Sequence, residues 1–241
     1  MVEAKWLACT DPFPMLKCLR GKVGQRKLRL FACACCRRIW RLLVDERSRR
    51  AVEIAEQYAA EPTIQGTLQT AFQAADNAFA DLRMYGAGYG YAATAARLTA
   101  SVNFRKAANH CISIAELVTF AAADNDPRIR SSPLGYEGFR SEEKEVQCSF
   151  LRDIFGPLAF REVSIDSRWL AWNDGTVRRL AEAIYEERSL PDGLLDATGV
   201  GVLADALEDA GCADPILLEH LRGQGPHVRG CWAVDLLVGR E

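Results

Sequence analysis

The chain has 241 residues, 49% of them hydrophobic and 26% charged, with a formal net charge of -2, which supplies one large core or two small ones and excludes a wholly disordered protein. The longest nearly apolar run, Cys111 to Ala123, contains Glu116 and falls short of the roughly 20 residues that cross a bilayer. The start, Met-Val-Glu-Ala-Lys-Trp, lacks the apolar stretch of a secretory signal, so a cytoplasmic protein with no membrane contact is expected.

In chain order, Asp11-Pro12 pairs an N-cap with an N1 proline and Gly21 can close the short helix that follows. From Gln25 to about Val44, Leu28, Phe31, Ala32, Cys35, Ile39, Leu42 and Leu43 recur at spacings of three and four, which predicts an amphipathic helix with Cys35 on its buried stripe. Cys36, Trp40 and Leu43 widen that stripe, and Arg29, Arg37 and Arg41 are placed on the opposite side. Asp45 is read as the cap of a third helix ending near Glu61-Pro62, and a fourth helix runs from Thr67 to Met84.

Tyr85-Gly-Ala-Gly-Tyr-Gly-Tyr91 reads as a turn, because neither a preceding strand nor a Gly-Lys-Ser/Thr ending supports a phosphate loop. Ala92 to Ala123 reads as one long helix or two, with alanine where helices approach closely, and Asp124 to Phe139 as a loop. Ser141 starts a helix that Gly156-Pro157 stops; a short strand is expected around Phe160 to Ile165, and Asn173 or Asp174 is read as the next cap. Val200 to Ala210 is closed by Gly211, Asp214-Pro215 opens a helix closed by Gly223, and Pro226 is read as opening the last one. The elements together predict an all-α, single helical domain over residues 1–241, with no fixed repeat period.

Nine cysteines, widely scattered and odd in number, do not form a secreted disulfide framework, so most are expected to pack as reduced, apolar side chains. Candidate chemistry concentrates in two segments, Phe31-Ala-Cys-Ala-Cys-Cys-Arg-Arg-Ile-Trp40 and Gly225-Pro-His-Val-Arg-Gly-Cys-Trp232. Cys33 and Cys36 have Cys-x-x-Cys spacing, and His227 and Cys231 share a face if Pro226 opens a helix. Zinc takes about four such ligands, so Cys33, Cys36, His227 and Cys231 form the candidate metal set, with His220 as a substitute. Set against it is plain core packing, with His227 held neutral near a helix start. No nucleophile, Walker, dinucleotide-binding or His-Glu-x-x-His motif is present, so no catalytic residue is assigned and no organic cofactor is expected.

Charge is divided: residues 1–50 hold 13 Lys/Arg against 4 Asp/Glu, leaving 17 against 28 for the remainder. Either the basic segment binds a polyanion such as nucleic acid, or it docks on acidic helices of the C-terminal part; the second reading is favoured because distributed acidity repels phosphate. Asp235 is expected to lean inward beside Trp232 and to pair with Arg37, Arg38 or Arg229.

Five segments carry a resemblance to an uncharacterised family of predicted bacterial proteins: Glu3 to Pro12, Arg26 to Trp40, Asp45 to Arg49, Leu203 to Glu208 and Gly225 to Trp232. It covers both ends of the chain, and relatives are expected to differ most over residues 61–140, a variable central helical lobe. The resemblance implies no activity, substrate or cofactor. Similar sequences often have His-Cys-Arg-Gly before the final turn, where this chain has His220-Leu-Arg-Gly223. The expectation is a non-enzymatic module for a protein or peptide partner, with residues 25–44 packed near Trp232; the alternatives are a zinc-stabilised protein or metalloenzyme and a nucleic-acid binder.

Overall fold

The computed structural model describes residues 1–82, 86–102, 107–126 and 135–240, and among these every regular element is helical. Residue contacts define two compact units, Met1–Leu151 and Arg152–Glu241. No helix among the described residues is long and apolar enough to cross a membrane.

The first unit contains α1 (Glu3–Leu7), α2 (Pro12–Leu19), α3 (Gln25–Arg38), α4 (Glu46–Ala60), α5 (Gln65–Leu82), α6 (Ala87–Thr99), α7 (Ala107–Asp124) and most of α8 (Gly135–Phe155). Its centre is α3, which packs against α4, α6 and α7, and Phe31, Cys35 and Cys36 are fully buried there. The predicted stripe is therefore real, but α3 is buried on nearly all sides. Arg29 and Arg37, expected on the outer face, are each 3% exposed.

Each of these arginines has a partner that offsets the cost of burying its charge. Arg29 donates to the carbonyls of Thr99 and Ser101 at 2.5 and 3.0 Å, satisfying the end of α6. Arg37 makes a two-pronged contact with Glu56 at 2.6 and 2.7 Å, and its guanidinium lies 4.8 Å from the centre of the Trp40 ring.

The glycine-rich break is narrower than its sequence suggests. Gly88 and Gly90 lie inside α6, while Tyr85 is outside the described residues. A Cβ at Gly88 would stand 2.0 Å from the Asn125 side-chain nitrogen, so glycine here permits α6 and the end of α7 to approach closely. Ala92, Ala93, Ala95 and Ala96 bury the neighbouring turns of α6. The predicted loop at 124–139 is shorter at its far end, since α8 begins at Gly135; residues 127–134 are outside the described set.

The acids that meet the basic N-terminal segment are largely local. Arg37 pairs with Glu56, Arg38 with Glu143, Arg47 with Asp45 and Asp81, Arg49 with Glu46, and Arg50 with Glu53. They lie beside α4 and on α4, α5 and α8 of the same unit.

Asp45 caps α4 as expected, accepting from the Arg47 backbone N–H at 2.8 Å. The Arg47 side chain also donates to it, and this contact, reinforced by the cap, holds the carboxyl below its usual pKa. Asp45→Ala should cost about 1 kcal/mol at neutral pH. A lowered folded-state pKa contributes stability above the unfolded value, about 3.9, and that contribution disappears as pH falls through the folded value. Urea unfolding should therefore show a wild-type advantage at pH 7 that shrinks on acidification; an advantage that grows would contradict this account.

The second unit contains the last turn of α8, then α9 (Ser167–Glu186), α10 (Ala197–Asp209), α11 (Pro215–Arg222) and α12 (Trp232–Leu237). Phe160 to Ile165 form no strand, and the only bridge pairing among the described residues joins Leu194 to Val228. Asp166 caps the start of α9, and a kink at Trp172–Gly175 divides it; the helix through Val177, Leu180 and Ile184 follows that kink, in which the expected caps Asn173 and Asp174 have positive φ. α11 begins and ends as predicted, with Asp214 accepting from the N–H groups of Ile216 and Leu217, whereas α10 ends before Gly211 as expected but starts earlier than Val200, at Ala197, where Asp196 caps it. Pro226, however, opens no helix: residues 226–231 form a turn, and α12 begins only at Trp232. Gly230 has φ of 99° and the Leu194–Val228 bridge holds the segment extended, which together prevent an earlier helix.

Candidate metal centre

Four side chains of the second unit converge although they come from three separate places. Asp153 occupies the final turn of α8 within the apolar run Phe150, Leu151, Ile154 and Phe155, so the register that buries those residues buries its carboxylate as well. Gly156 then turns the chain with φ of 44°, and an added Cβ there would stand 2.3 Å from the Trp232 ring. His220 lies in the last turn of α11, whose Leu217, Leu218 and Leu221 anchor it in the core.

His227 and Cys231 come from the turn before α12. The His227 carbonyl accepts from Leu195 N–H at 2.9 Å, and Cys231 N–H donates to the Val228 carbonyl at 2.9 Å. Gly230 N–H donates to the Tyr185 hydroxyl at 3.1 Å, and that hydroxyl in turn donates to Asp235. The inward position expected for Asp235 is thus found, with the Tyr185 hydroxyl as one of its partners.

One donor atom from each of Asp153, His220, His227 and Cys231 lies within 4.8 Å of all the others. Asp153 Oδ1 is 2.8 Å from His227 Nδ1 and 3.3 Å from His220 Nε2. Cys231 Sγ is 3.2 Å from His220 Nε2 and 4.0 Å from His227 Nδ1. With bonds of about 2.0–2.1 Å to N and O and about 2.3 Å to S, a tetrahedral zinc ion sets its ligand atoms roughly 3.3–3.6 Å apart. The observed separations bracket those edges.

The charges of the four groups are tightly linked. Burial alone would raise the Asp153 pKa, but hydrogen bonds and charge from His220 and His227 outweigh it and hold the carboxyl below its usual value. Burial would likewise lower His227, yet Asp153 raises it above the ordinary histidine value. Its expected neutral state near a helix start is replaced by a carboxylate partner in a turn. The Gly223 carbonyl also favours the protonated ring, although buried Nε2 makes no well-formed hydrogen bond. The Cys231 thiol is pushed well up by burial first and then by the Asp153 charge, so its thiolate needs a nearby cation.

A nucleophilic Cys–His–Asp relay is a poor description of this set. Such a relay uses the two nitrogens of one imidazole for two different partners. Here the same His220 nitrogen faces both the thiol and the carboxylate, and Cys231 is fully buried. Four donor atoms gathered within 4.8 Å of one another are what a cation requires.

Of the residues predicted from sequence, His220, His227 and Cys231 come together. Cys33 and Cys36 belong to the first unit, where Cys33 Sγ lies 3.9 Å from the Val52 carbonyl and Cys36 Sγ lies 3.4 Å from Thr99 Oγ1. Burial raises both thiols, Cys36 to about 12. Leu221 fills the core. Asp153 escaped sequence reasoning, although a lone carboxylate on the apolar side of a helix end was a usable signal. Comparison with protein-family models, curated proteins and solved structures finds no match.

Proposed function

We propose that this is a zinc-binding helical protein in which Asp153, His220, His227 and Cys231 hold one ion that secures the second unit. The observation that carries this reading is the convergence of four donor atoms within 4.8 Å. An O, N, N, S donor set suits zinc better than magnesium or calcium, which prefer all-oxygen ligation. The ion joins the end of α8, the end of α11 and the 226–231 turn, segments with little regular backbone pairing between them.

Three contacts act as supports for the ligands. Val228 N–H donates to Asp153 Oδ2 at 2.8 Å, leaving Oδ1 for the metal. The Leu195 and Tyr185 hydrogen bonds fix the turn that carries His227 and Cys231. Untagged protein loaded with zinc and desalted should retain about one zinc per chain by elemental analysis, and Cys231→Ser should retain markedly less. Wild-type protein that emerges without metal contradicts the reading.

A further inference from the structure

The four ligands are not held equally. The side chains of Asp153 and His227 are 4% and 3% exposed and Cys231 is 0% exposed, whereas the His220 side chain is 20% exposed. Asp153 is braced by Val228 N–H, and the peptides around His227 and Cys231 are tied to Leu195, Val228 and Tyr185. The His220 ring has no comparable brace. Its Nε2 faces only the co-ligands Asp153 and Cys231, and no described residue hydrogen-bonds its other nitrogen. Beyond these polar contacts it has ring contacts, with the His227 and Trp232 rings each 5.0 Å away between centres.

We propose that His220 is the exchangeable ligand of this centre: Asp153, His227 and Cys231 retain the ion while a small monodentate nitrogen or oxygen donor takes the fourth position. This rests on the metal reading above. Three protein ligands plus one exchangeable position is an arrangement zinc readily accepts. α11 is anchored through Leu217 and Leu221, so His220 can leave by turning its side chain without moving the helix. The space its ring vacates lies beside the Trp232 and His227 rings, which suits a flat azole.

Cobalt(II) substitution with imidazole as the probe tests this. Wild type should bind one cobalt with a thiolate-to-cobalt absorption band. His220→Ala should keep that band, with affinity weakened by no more than the roughly 10- to 100-fold typical of losing a supporting group. Imidazole should then shift its d–d bands saturably and restore affinity, and should alter wild type far less. His227→Ala and Asp153→Ala should lose stoichiometric binding.

His220→Asn serves as the second variant if the alanine form is unfolded by circular dichroism. A His220 variant that loses cobalt as completely as His227→Ala, fails to respond to imidazole, or is unfolded in both forms overturns the exchangeable-ligand proposal alone. Wild type that takes up no cobalt overturns the metal reading itself.

Discussion

With zinc held as proposed by Asp153, His220, His227 and Cys231, stripping it should destabilise Arg152–Glu241 by about 4 kcal/mol relative to a sample whose free zinc is about 1,000 times its dissociation constant. The loss arises because binding to the folded site, but not to the unfolded chain, is folding free energy. Without the cation, a buried carboxylate, two imidazoles and a thiol must share protons in a space where single atoms face two partners each. The readout is local: amide exchange at Leu195, Val228, Gly230 and Cys231 should accelerate on chelation, since those N–H groups brace the ligand turn. Amides in the middle of α3 and α4 report the first unit and provide the comparison. Equal exchange at the four braced amides with and without chelator would contradict a supporting role for the ion.

The second large effect lies in the first unit. Replacing Glu56 by Gln should cost about 3–5 kcal/mol in urea unfolding, because it removes the carboxylate charge that the buried Arg37 guanidinium meets with both prongs. Both side chains are almost inaccessible, at 4% and 3% exposure, and the contact is two-pronged at 2.6 and 2.7 Å. Burial by itself would lower the arginine pKa, yet the Glu56 hydrogen bonds and charge raise it above normal. The double variant Arg37→Met/Glu56→Leu should recover most of that loss, since apolar groups of similar volume remove both desolvated charges together. A double variant as unstable as the sum of its singles would show that the pair acts as two independent residues.

What the sequence reveals depends on whether the signal is local. Asp11-Pro12, Asp45 and Asp214-Pro215 each specify a helix start through their own backbone contacts, and all three are found as read. Arg29 and Arg37 were misplaced because periodicity assigns charge to water, whereas Glu56 and the α6 carbonyls receive these residues inside. Pro226 was misread for a related reason: an N1 proline marks a helix only where the following residues are free to coil. Here Leu195 and the Leu194–Val228 bridge hold them extended. That error placed His227 and Cys231 at helical spacing, while the structure brings them together across a turn.

The candidate site was legible in its histidines and its C-terminal cysteine. Its carboxylate was not, because Asp153 lies 67 residues before His220, and only tertiary packing joins the end of α8 to α11. The Cys-x-x-Cys spacing at Cys33 and Cys36 attracted a metal reading that needs three sulfurs and one nitrogen. The cluster in the second unit has one sulfur, two nitrogens and one oxygen. These two donor sets differ in a directly measurable way.

X-ray absorption at the zinc edge of the loaded protein separates them. The account predicts about one sulfur at about 2.3 Å and three nitrogen or oxygen neighbours at about 2.0–2.1 Å, with the sulfur contribution lost in Cys231→Ser. A first shell with about three sulfurs, or one with none, would contradict the centre formed by Asp153, His220, His227 and Cys231.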